Sequence, residues 1–238
     1  NLACVGARPA GVTDCLNFGN PQKPEAFWQF REAVKGMAAA CDAWGIPIVS
    51  GNVSFYNETP DGSIFPTPAI GMVGILDDVE RRAEMAFRKD GDIVILLGAP
   101  AGGRADELGG SEYLATVHGI EAGRPPAVDL SAEAMLRDTL LKAIARGNVV
   151  SAHDVSDGGI AVTLAECCIP NGLGCEVVCG ADERRDAALF AEKAGRVIVS
   201  CPTEYDASEI LAIAEQAGLP AVPIGWVKGD RLRIGFRP

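Results

Sequence analysis

Five consecutive aliphatic residues, Ile93–Leu97 (IVILL), constrain the fold most strongly. A short run without polar alternation predicts a strand that is buried on both faces, which requires helices above and below a sheet. Strand and helix patterns then alternate along the chain, as a layered α/β domain from about residue 90 onward requires. The predicted helices are 131–147, capped by Ser131, 158–168 and 204–217. The predicted strands are 149–152, 174–179, 196–200 and 221–227.

The first part of the chain contains a long predicted helix, Pro24–Trp44, followed by strands at Ile46–Ser50 and Ala69–Leu76. Pro suits a first helical turn, and Gly45 with Pro47 ends the helix. Its apolar residues recur at steps of three and four, which predicts one core-facing side without a ligand role. These residues are Phe27, Phe30, Val34, Met37, Cys41 and Trp44.

A charged segment, Asp77–Asp92, separates these two parts. It predicts two domains, residues 1–80 and 81–238, and an α+β fold class overall. The chain opens inside an apolar pattern without an initiator Met, so we expect a piece of a longer polypeptide whose first domain is incomplete.

The net charge of −11, from 21 basic and 32 acidic residues, disfavours general binding to nucleic acid or to an anionic membrane. It is compatible with a single nucleotide whose phosphates are reached through Mg²⁺. No apolar run is long enough to span a bilayer. The eight cysteines form no CxxC pair, and without a secretion signal a reducing cytoplasm is expected. For Cys175 and Cys179, buried and reduced thiols are favoured over a zinc site.

Two polar motifs follow strand-like segments in the first part. In VTDCLNFGNP, Asp14 at a strand end can accept hydrogen bonds from a nucleotide or approach a metal; an Asx-turn is the structural alternative. In VSGNVSFYNE, Gly51 allows close approach to the backbone, and strand alternation puts Asn52 and Ser54 on one side. An amide oxygen is a suitable ligand for Mg²⁺, and a hydroxyl is a suitable partner for phosphate. The structural alternative is a polar edge strand that faces water.

Two further motifs lie in the second part. In ELGGSEYL, paired glycines and Ser111 can either cradle a phosphate or form a tight turn before a helix, and no established phosphate fingerprint is satisfied. In SAHDVSDGGIA, Ser156 or Asp157 is expected to cap the following helix. His153 next to Asp154 suggests acid–base chemistry, but without a nucleophile motif a structural role is favoured.

Together and in this order, TDCLNFGNP, GNVSFYNE, PTPAIGMVG, ELGGSEYL and HDVSDGGIA resemble the phosphoribosylformylglycinamidine synthase family. The resemblance is to the second half of the synthetase subunit of the multi-subunit bacterial form and covers essentially the whole chain. It implies an aminoimidazole ribonucleotide synthetase-like fold, with a β-rich first domain and an α/β second domain. ELGGSEYL and DVSDGG are also similar to sister families, and TDCLNFGNP with GNVSFYNE narrows the choice.

The resemblance implies an ATP- and Mg²⁺-dependent ligase of purine biosynthesis. Such enzymes activate the formamide oxygen of formylglycinamide ribonucleotide as a phosphate ester, which ammonia from a glutaminase subunit then displaces. By motif, Asp14 and Gly51 correspond to ATP contacts, Asn52 to a Mg²⁺ ligand and Ser54 to a substrate contact. The resemblance assigns no catalytic residue to this chain, because the family's proposed general base belongs to the other half, so neither His118 nor His153 takes that role.

The implied partners are the glutaminase subunit, a small accessory subunit and the N-terminal half of the same polypeptide. A chain of this kind is not expected to catalyse the reaction alone. Two alternatives stay open at this point: a non-catalytic nucleotide-binding or scaffolding half, and a sister-family synthetase or kinase.

Overall fold

A computed structural model describes residues 1–100, 103–180 and 184–236. The chain divides into two compact units. One comprises Arg8–Ile75 together with Leu2; the other comprises Asn1, Ala3–Ala7 and Leu76–Pro238.

The Arg8–Ile75 unit is built on a three-stranded sheet with one long helix. Its elements are β1 (Arg8–Asn17), α1 (Pro24–Trp44), β2 (Ile48–Ser54), β3 (Glu58–Thr59), β4 (Gly62–Ser63) and β5 (Thr67–Ile75). The sheet order is β2-β1-β5, with β2 parallel and β5 antiparallel to β1. Because parallel neighbours need a crossover connection, α1 lies between β1 and β2 in the sequence.

Helix α1 has the predicted bounds, but the prediction that its apolar residues face a core is only partly correct. Pro24 occupies the first turn, and Gly45 ends the helix in the left-handed conformation with φ 64°. Phe27 and Val34 are exposed, whereas the other four predicted face residues are partly buried. A sheet of three strands offers too little surface to cover a helix of 21 residues.

Strand β2 begins two residues later than predicted and continues to Ser54. It forms one edge of its sheet, and Ile48, Val49 and Val53 are exposed along it. Strand β1 is ten residues long, so Asp14 lies inside it, three residues before its end, and not at the strand end that the sequence suggested. Thr13 lies on the exposed face of the sheet, whereas Asp14 is half-buried on the same face as the buried side chains of Val12 and Leu16.

The second unit contains a six-stranded sheet and five helices among its described residues. The strands are β6 (Ile93–Gly98), β7 (Ser151–Asp154), β8 (Cys175–Cys179), β9 (Arg196–Cys201), β10 (Ala221–Val227) and β11 (Leu232–Phe236). The helices are α2 (Glu112–His118), α3 (Leu130–Ala145), α4 (Gly159–Cys168), α5 (Arg185–Phe190) and α6 (Glu204–Ala217). The strand order is β11-β8-β10-β6-β9-β7, and every pair except β11–β8 is antiparallel.

Strand β6 is buried on both faces, as its unbroken apolar run predicted. Ile93, Ile95 and Leu97 belong to a core that also contains residues of α3 and α6. Val94 and Leu96 belong to a second core that contains residues of α4. The layered architecture and the α+β class are therefore confirmed, although the sheet is mostly antiparallel.

Two predicted helix caps are wrong. Helix α3 is capped by Asp129, whose Oδ1 accepts hydrogen bonds from the amides of Ser131 and Ala132, both at 3.0 Å. Helix α4 begins after Gly158, at φ 75°, and neither Ser156 nor Asp157 caps it with a side chain. Helix α5 and strand β11 were not predicted, whereas α2 is the helix expected after ELGGS.

Strand β7 lies two residues later than predicted. The loop before α2 includes residues 101 and 102, which lie outside the described ranges. Within the described ranges, no helix combines the length and apolar character that crossing a membrane requires.

Candidate functional site

The two motifs of the Arg8–Ile75 unit lie side by side in the parallel pair β1–β2. Asp14 is opposite Gly51, Cys15 is opposite Asn52, and Asn17 is opposite Ser54. Residues that are about 40 positions apart in the sequence therefore meet on two neighbouring strands, and only the pair Asn17–Ser54 lies at the carboxyl ends, where α/β proteins commonly place their sites.

Gly51 lies directly against the side chain of Asp14. A Cβ atom at residue 51 would lie 2.4 Å from Oδ1 and 2.6 Å from Oδ2 of Asp14, closer than real Cβ contacts. The sequence predicted that Gly51 leaves room for a ligand, and the structure shows a half-buried carboxylate in that room. The two predicted ATP contacts thus form a single structural pair.

Asn52 and Ser54 share one side of β2, because the strand continues through both residues. Asn52 is exposed, and its side-chain amide forms no hydrogen bond to any residue that the structure describes. By the same alternation, Asp14 and Gly51 lie on the opposite face of the sheet. The four predicted residues are therefore adjacent along the strands but are divided between two faces.

Asn57, which the sequence reasoning missed, joins the ends of the two motifs. Its Nδ2 atom donates to the carbonyl oxygens of Phe18 at 3.1 Å and Ser54 at 3.0 Å. Its backbone N–H also donates to Phe18 O, and the N–H of Phe18 donates to Ser54 O. The Ser54 hydroxyl donates to Asn57 Oδ1 at 3.3 Å, so Asn57 restrains the side chain of a predicted substrate contact.

Aromatic residues support this junction from the side of α1. The ring of Phe30 lies edge-on to Phe18, with centroids 5.4 Å apart, and edge-on to Phe55 at 5.0 Å. Between Phe55 and Asn57, Tyr56 has a φ of 61°, which is unusual for a residue with a Cβ. Its backbone N–H donates to Gly19 O at 3.2 Å, a bond that helps to hold this conformation.

The motifs of the second unit form another junction. Ser111 caps α2, since its hydroxyl accepts a hydrogen bond from the amide of Leu114 and donates to Leu108 O at 2.7 Å. The prediction of a tight turn before a helix is confirmed. The turn needs Gly109, because a Cβ there would lie 2.3 Å from the carbonyl oxygen of Arg124.

Glu192, also missed from the sequence, links ELGGSEYL to SDGG. A single oxygen, Oε1, accepts hydrogen bonds from the backbone amides of Glu112 and Gly158, both at 2.8 Å. These amides are at the starts of α2 and α4, where N–H groups lack partners within the helix. The amides of Gly110 and Ser111, which the sequence suggested for a phosphate, instead donate to the carbonyl oxygens of Ala122 and Leu108.

The segment around Glu192 is anchored by the buried side chain of Arg196. Its guanidinium donates to the carbonyl oxygens of Ala191 at 2.6 Å and Lys193 at 3.1 Å. Burial lowers the pKa of Arg196 to about 10, and the nearby Glu107 opposes this shift. Lys193 pairs with Glu107 at 2.8 Å, so charges of both signs surround the segment.

His153 is held between two carboxylates. Its Nε2 lies 3.0 Å from Glu166 Oε2, and its Nδ1 lies 3.6 Å from Asp154 Oδ1. The contact with Asp154 raises the pKa of His153, partial burial opposes the shift, and Glu166 adds to it. These two contacts fix the position of the His153 ring.

All eight cysteines are free, and six of them are buried, whereas Cys15 is exposed and Cys41 is partly buried. The expectation of buried thiols is confirmed for Cys175 and Cys179. Burial raises the pKa values of Cys4 and Cys179 to about 11 and that of Cys201 to about 12. Within the described ranges, no group of three or more His, Cys, Asp or Glu side chains is arranged to hold a metal ion.

Family profiles match both parts of the chain. The profile described as AIR synthase related protein, C-terminal domain, matches residues 89–236, and the corresponding N-terminal domain profile matches residues 1–76. The chain belongs to the AIR synthase related family.

Relatives of this AIR synthase related chain include phosphoribosylformylglycinamidine synthase subunits named PurL. The subunit from Anaeromyxobacter sp. strain Fw109-5 is 50% identical over 98% of this chain, and the match covers 31% of the relative. The subunit from Moorella thermoacetica is 49% identical over 98% of this chain and is likewise covered to 31%. The resemblance identified from the motifs is thus confirmed. The chain spans about a third of the length of these relatives.

Solved structures show the same AIR synthase related fold. Thermotoga maritima PurL complexed with FGAR matches with a TM-score of 0.77 at 22% identity, covering 99% of this chain and 38% of that one. A HypE–HypF complex matches with a TM-score of 0.70 at 21% identity, covering 98% of this chain and 76% of that one. The fold prediction is therefore confirmed.

Proposed function

We propose that this chain contributes the second-half nucleotide and substrate contacts of an ATP- and Mg²⁺-dependent ligase that forms formylglycinamidine ribonucleotide in purine biosynthesis. The observation that carries the proposal is the parallel pairing of β1 with β2. This pairing places Asp14 beside Gly51, and Asn52 follows Gly51 in β2. The 50% identity to a PurL subunit over 98% of the chain supports it. Solved structures of Thermotoga maritima PurL include complexes with ATP and with FGAR.

Each residue has a chemistry that suits its proposed role. The half-buried carboxylate of Asp14 can accept hydrogen bonds from the adenosine part of ATP, and the missing Cβ of Gly51 leaves room for that carboxylate. The exposed amide oxygen of Asn52 is a hard ligand, as Mg²⁺ prefers. The hydroxyl of Ser54, oriented by Asn57, is available to the ribonucleotide.

The donor set around Asn52 fits a magnesium ion that is only partly held by protein. Mg²⁺ commonly keeps several waters and binds one or two protein oxygens together with substrate phosphates. Asn52 supplies one such oxygen, and the ion when bound would neutralise phosphate charge during phosphoryl transfer. No residue of this chain is proposed as a catalytic acid or base.

The position of β2 at the edge of its sheet explains how two faces can serve one ligand. Asp14 and Gly51 are on one face, and Asn52 and Ser54 are on the other. Asp14 would contact the nucleotide, and Asn52 would contact the metal ion that neutralises its phosphates. The ribonucleotide would then be bound on the Ser54 side.

The remaining groups of the reaction belong to other parts of the proposed assembly. We propose as partners the N-terminal half of the polypeptide, a glutaminase subunit that supplies ammonia and a small accessory subunit, in the cytoplasm. With ATP, Mg²⁺, formylglycinamide ribonucleotide and ammonia, the isolated chain should release no ADP above background. Turnover at the rate of the complete synthetase would contradict this division of the site.

The test of the site uses the complete synthetase subunit that carries this segment. Asn52→Ala should raise the Mg²⁺ concentration needed for half-maximal turnover, and Ser54→Ala should raise the KM for the ribonucleotide. Ser50→Ala is the matched control, because Ser50 lies on the same side of β2 and bonds to Thr13 Oγ1 at 2.8 Å. If turnover survived the Asn52 and Ser54 changes and only thermal stability fell, this half would be a scaffold.

A further inference from the structure

Two cysteine thiols face each other where α4 leads into β8. Cys168 is the last residue of α4, and Cys175 is the first residue of β8. Their Sγ atoms are 3.9 Å apart, within hydrogen-bond distance for sulfur. Among the residues that the structure describes, no other two cysteines form a thiol–thiol hydrogen bond.

We propose that Cys168 and Cys175 are a modification site at which peroxide forms a reversible intramolecular disulfide. A disulfide has an S–S length of about 2.05 Å, so the two sulfur atoms must approach by about 2 Å. Rotation of the two side chains, with small adjustment of the connecting turn, provides a movement of this size.

The connecting turn, residues 169–174, is suited to that adjustment. Ile169, Pro170, Asn171 and Gly172 are exposed, and Gly172 has a φ of 63°. The turn is closed by a hydrogen bond of 3.2 Å from the N–H of Leu173 to Cys168 O. Since these residues are at the surface, a small oxidant can reach Cys168, which is 7% exposed, before Cys175, which is fully buried.

The electrostatics of the pair fit this order of events. An ionised Cys168 accepts a hydrogen bond from the Cys175 thiol, which lowers the pKa of Cys168. The same hydrogen bond and burial raise the pKa of Cys175. Burial also raises the pKa of the neighbouring Cys167, which disfavours its thiolate.

The chemistry balances in two steps with hydrogen peroxide as oxidant. The Cys168 thiolate attacks a peroxide oxygen, the O–O bond breaks, and sulfenic acid and hydroxide form. The Cys175 sulfur then attacks the sulfenic sulfur, the S–O bond breaks, and the departing hydroxyl leaves as water with the Cys175 proton. Two thiols have then lost two electrons to the peroxide, and a dithiol reductant reverses the change.

The test treats the reduced full chain with hydrogen peroxide under native conditions, blocks free thiols with N-ethylmaleimide and digests with chymotrypsin and Glu-C. Cleavage after Leu164, Glu166, Leu173 and Glu176 separates Cys175 from Cys168 and from Cys179. The expected product is the fragment 167–173 linked to 174–176, lighter by two hydrogens and split by dithiothreitol. Most of the protein should carry this disulfide after treatment with excess peroxide. Circular dichroism checks that the same treatment leaves the protein folded.

Variants identify the sulfur atoms. Cys168→Ala and Cys175→Ala should each abolish the linked fragment, whereas Cys167→Ala and Cys179→Ala, which alter buried cysteines of the same core, should retain it. If a variant fails to fold, tandem mass spectrometry of the wild-type linked fragment still distinguishes Cys167 from Cys168. The proposal would be overturned by a disulfide through Cys167 or Cys179, or by a disulfide that forms only in urea. It would also be overturned if Cys168 became sulfinic acid while Cys175 was still alkylated.

Discussion

The carboxylate of Asp14 occupies the space that the Cβ atom of a larger residue at position 51 would need. The distance of 2.4 Å from Asp14 Oδ1 to an ideal Cβ at residue 51 leaves no room for alanine without movement of one strand or rotation of the carboxylate. This pair ties the two motifs of the first unit together, because each residue limits what the other position accepts.

We therefore expect Gly51→Ala to destabilise the Arg8–Ile75 unit by about 0.5–1.5 kcal/mol, the cost of moving the Asp14 side chain away from its preferred rotamer. The free energy of unfolding is measured by urea titration with fluorescence of Trp28 and Trp44, which both belong to α1. The double variant Asp14→Ala/Gly51→Ala should recover most of the loss, since it removes the opposing carboxylate. An equal loss in the single and double variants would show that Asp14 is not the cause.

Gly36→Ala is the matched control for this substitution. Gly36 lies within α1, and a Cβ there meets nothing within 4 Å. Alanine should stabilise the helix by about 0.5–1 kcal/mol, because glycine loses more backbone entropy on folding. The two glycine-to-alanine changes should therefore have opposite signs in the same titration.

Asn57→Asp tests the junction between the motifs. The aspartate keeps the size of the side chain but loses the N–H groups that reach Phe18 O and Ser54 O. We expect a loss of about 1–3 kcal/mol and faster hydrogen exchange at the amides of Phe18 and Asn57. Asn52→Asp, at an exposed position, should change stability by less than about 0.5 kcal/mol. Equal effects of the two changes would contradict the proposed role of Asn57.

Glu192→Ala should loosen the starts of α2 and α4 together. Both the Glu112 and the Gly158 amides lose their acceptor, at a cost of about 1–3 kcal/mol for unsatisfied groups. Hydrogen exchange should accelerate at both amides, and Glu192→Gln should have a smaller effect because one oxygen remains. Glu215→Ala, at an exposed position on α6, is the control. Faster exchange at only one amide would mean that Glu192 does not link the two motifs.

The stability of the second unit should depend on pH through His153. Because its contacts raise the pKa of His153 in the folded state, protonation favours folding. This contribution is fully present below the unfolded pKa of about 6.5 and is lost as the pH rises through the higher folded value. Thermal unfolding between pH 6 and 8 should show the loss in the wild type and a flatter profile for Glu166→Gln. The control His118→Gln should retain the wild-type profile.

Much of the fold could be predicted because local patterns were strong. Helices α1 and α6 were predicted with their bounds, since apolar periodicity and terminal Gly or Pro residues agree there. The mostly antiparallel pairing of the six-stranded sheet could not be predicted, because alternation of strands and helices does not specify strand direction. The caps were wrong at α3 and α4 because the actual partners, Asp129 and Glu192, depend on the backbone path and on a distant segment.

The candidate site was predicted in part. Alternation along β2 correctly placed Asn52 beside Ser54, but the pairing of Asp14 with Gly51 required the register between two strands. Asn57 and Glu192 carried no signal of their own in the sequence, because each acts on backbone groups that only the fold brings near. The roles of Asp14, Gly51, Asn52 and Ser54 towards ATP, metal and substrate stay predictions.

The exposed edge of β2 has a consequence for the behaviour of concentrated samples. A strand edge flanked by Ile48, Val49 and Val53 can pair with the same edge of another copy and so promote self-association. The net charge of −11 opposes such encounters at low ionic strength, whereas added salt screens that repulsion. Solutions of this chain should therefore stay clear longest in dilute buffer and become turbid as salt and protein concentration increase.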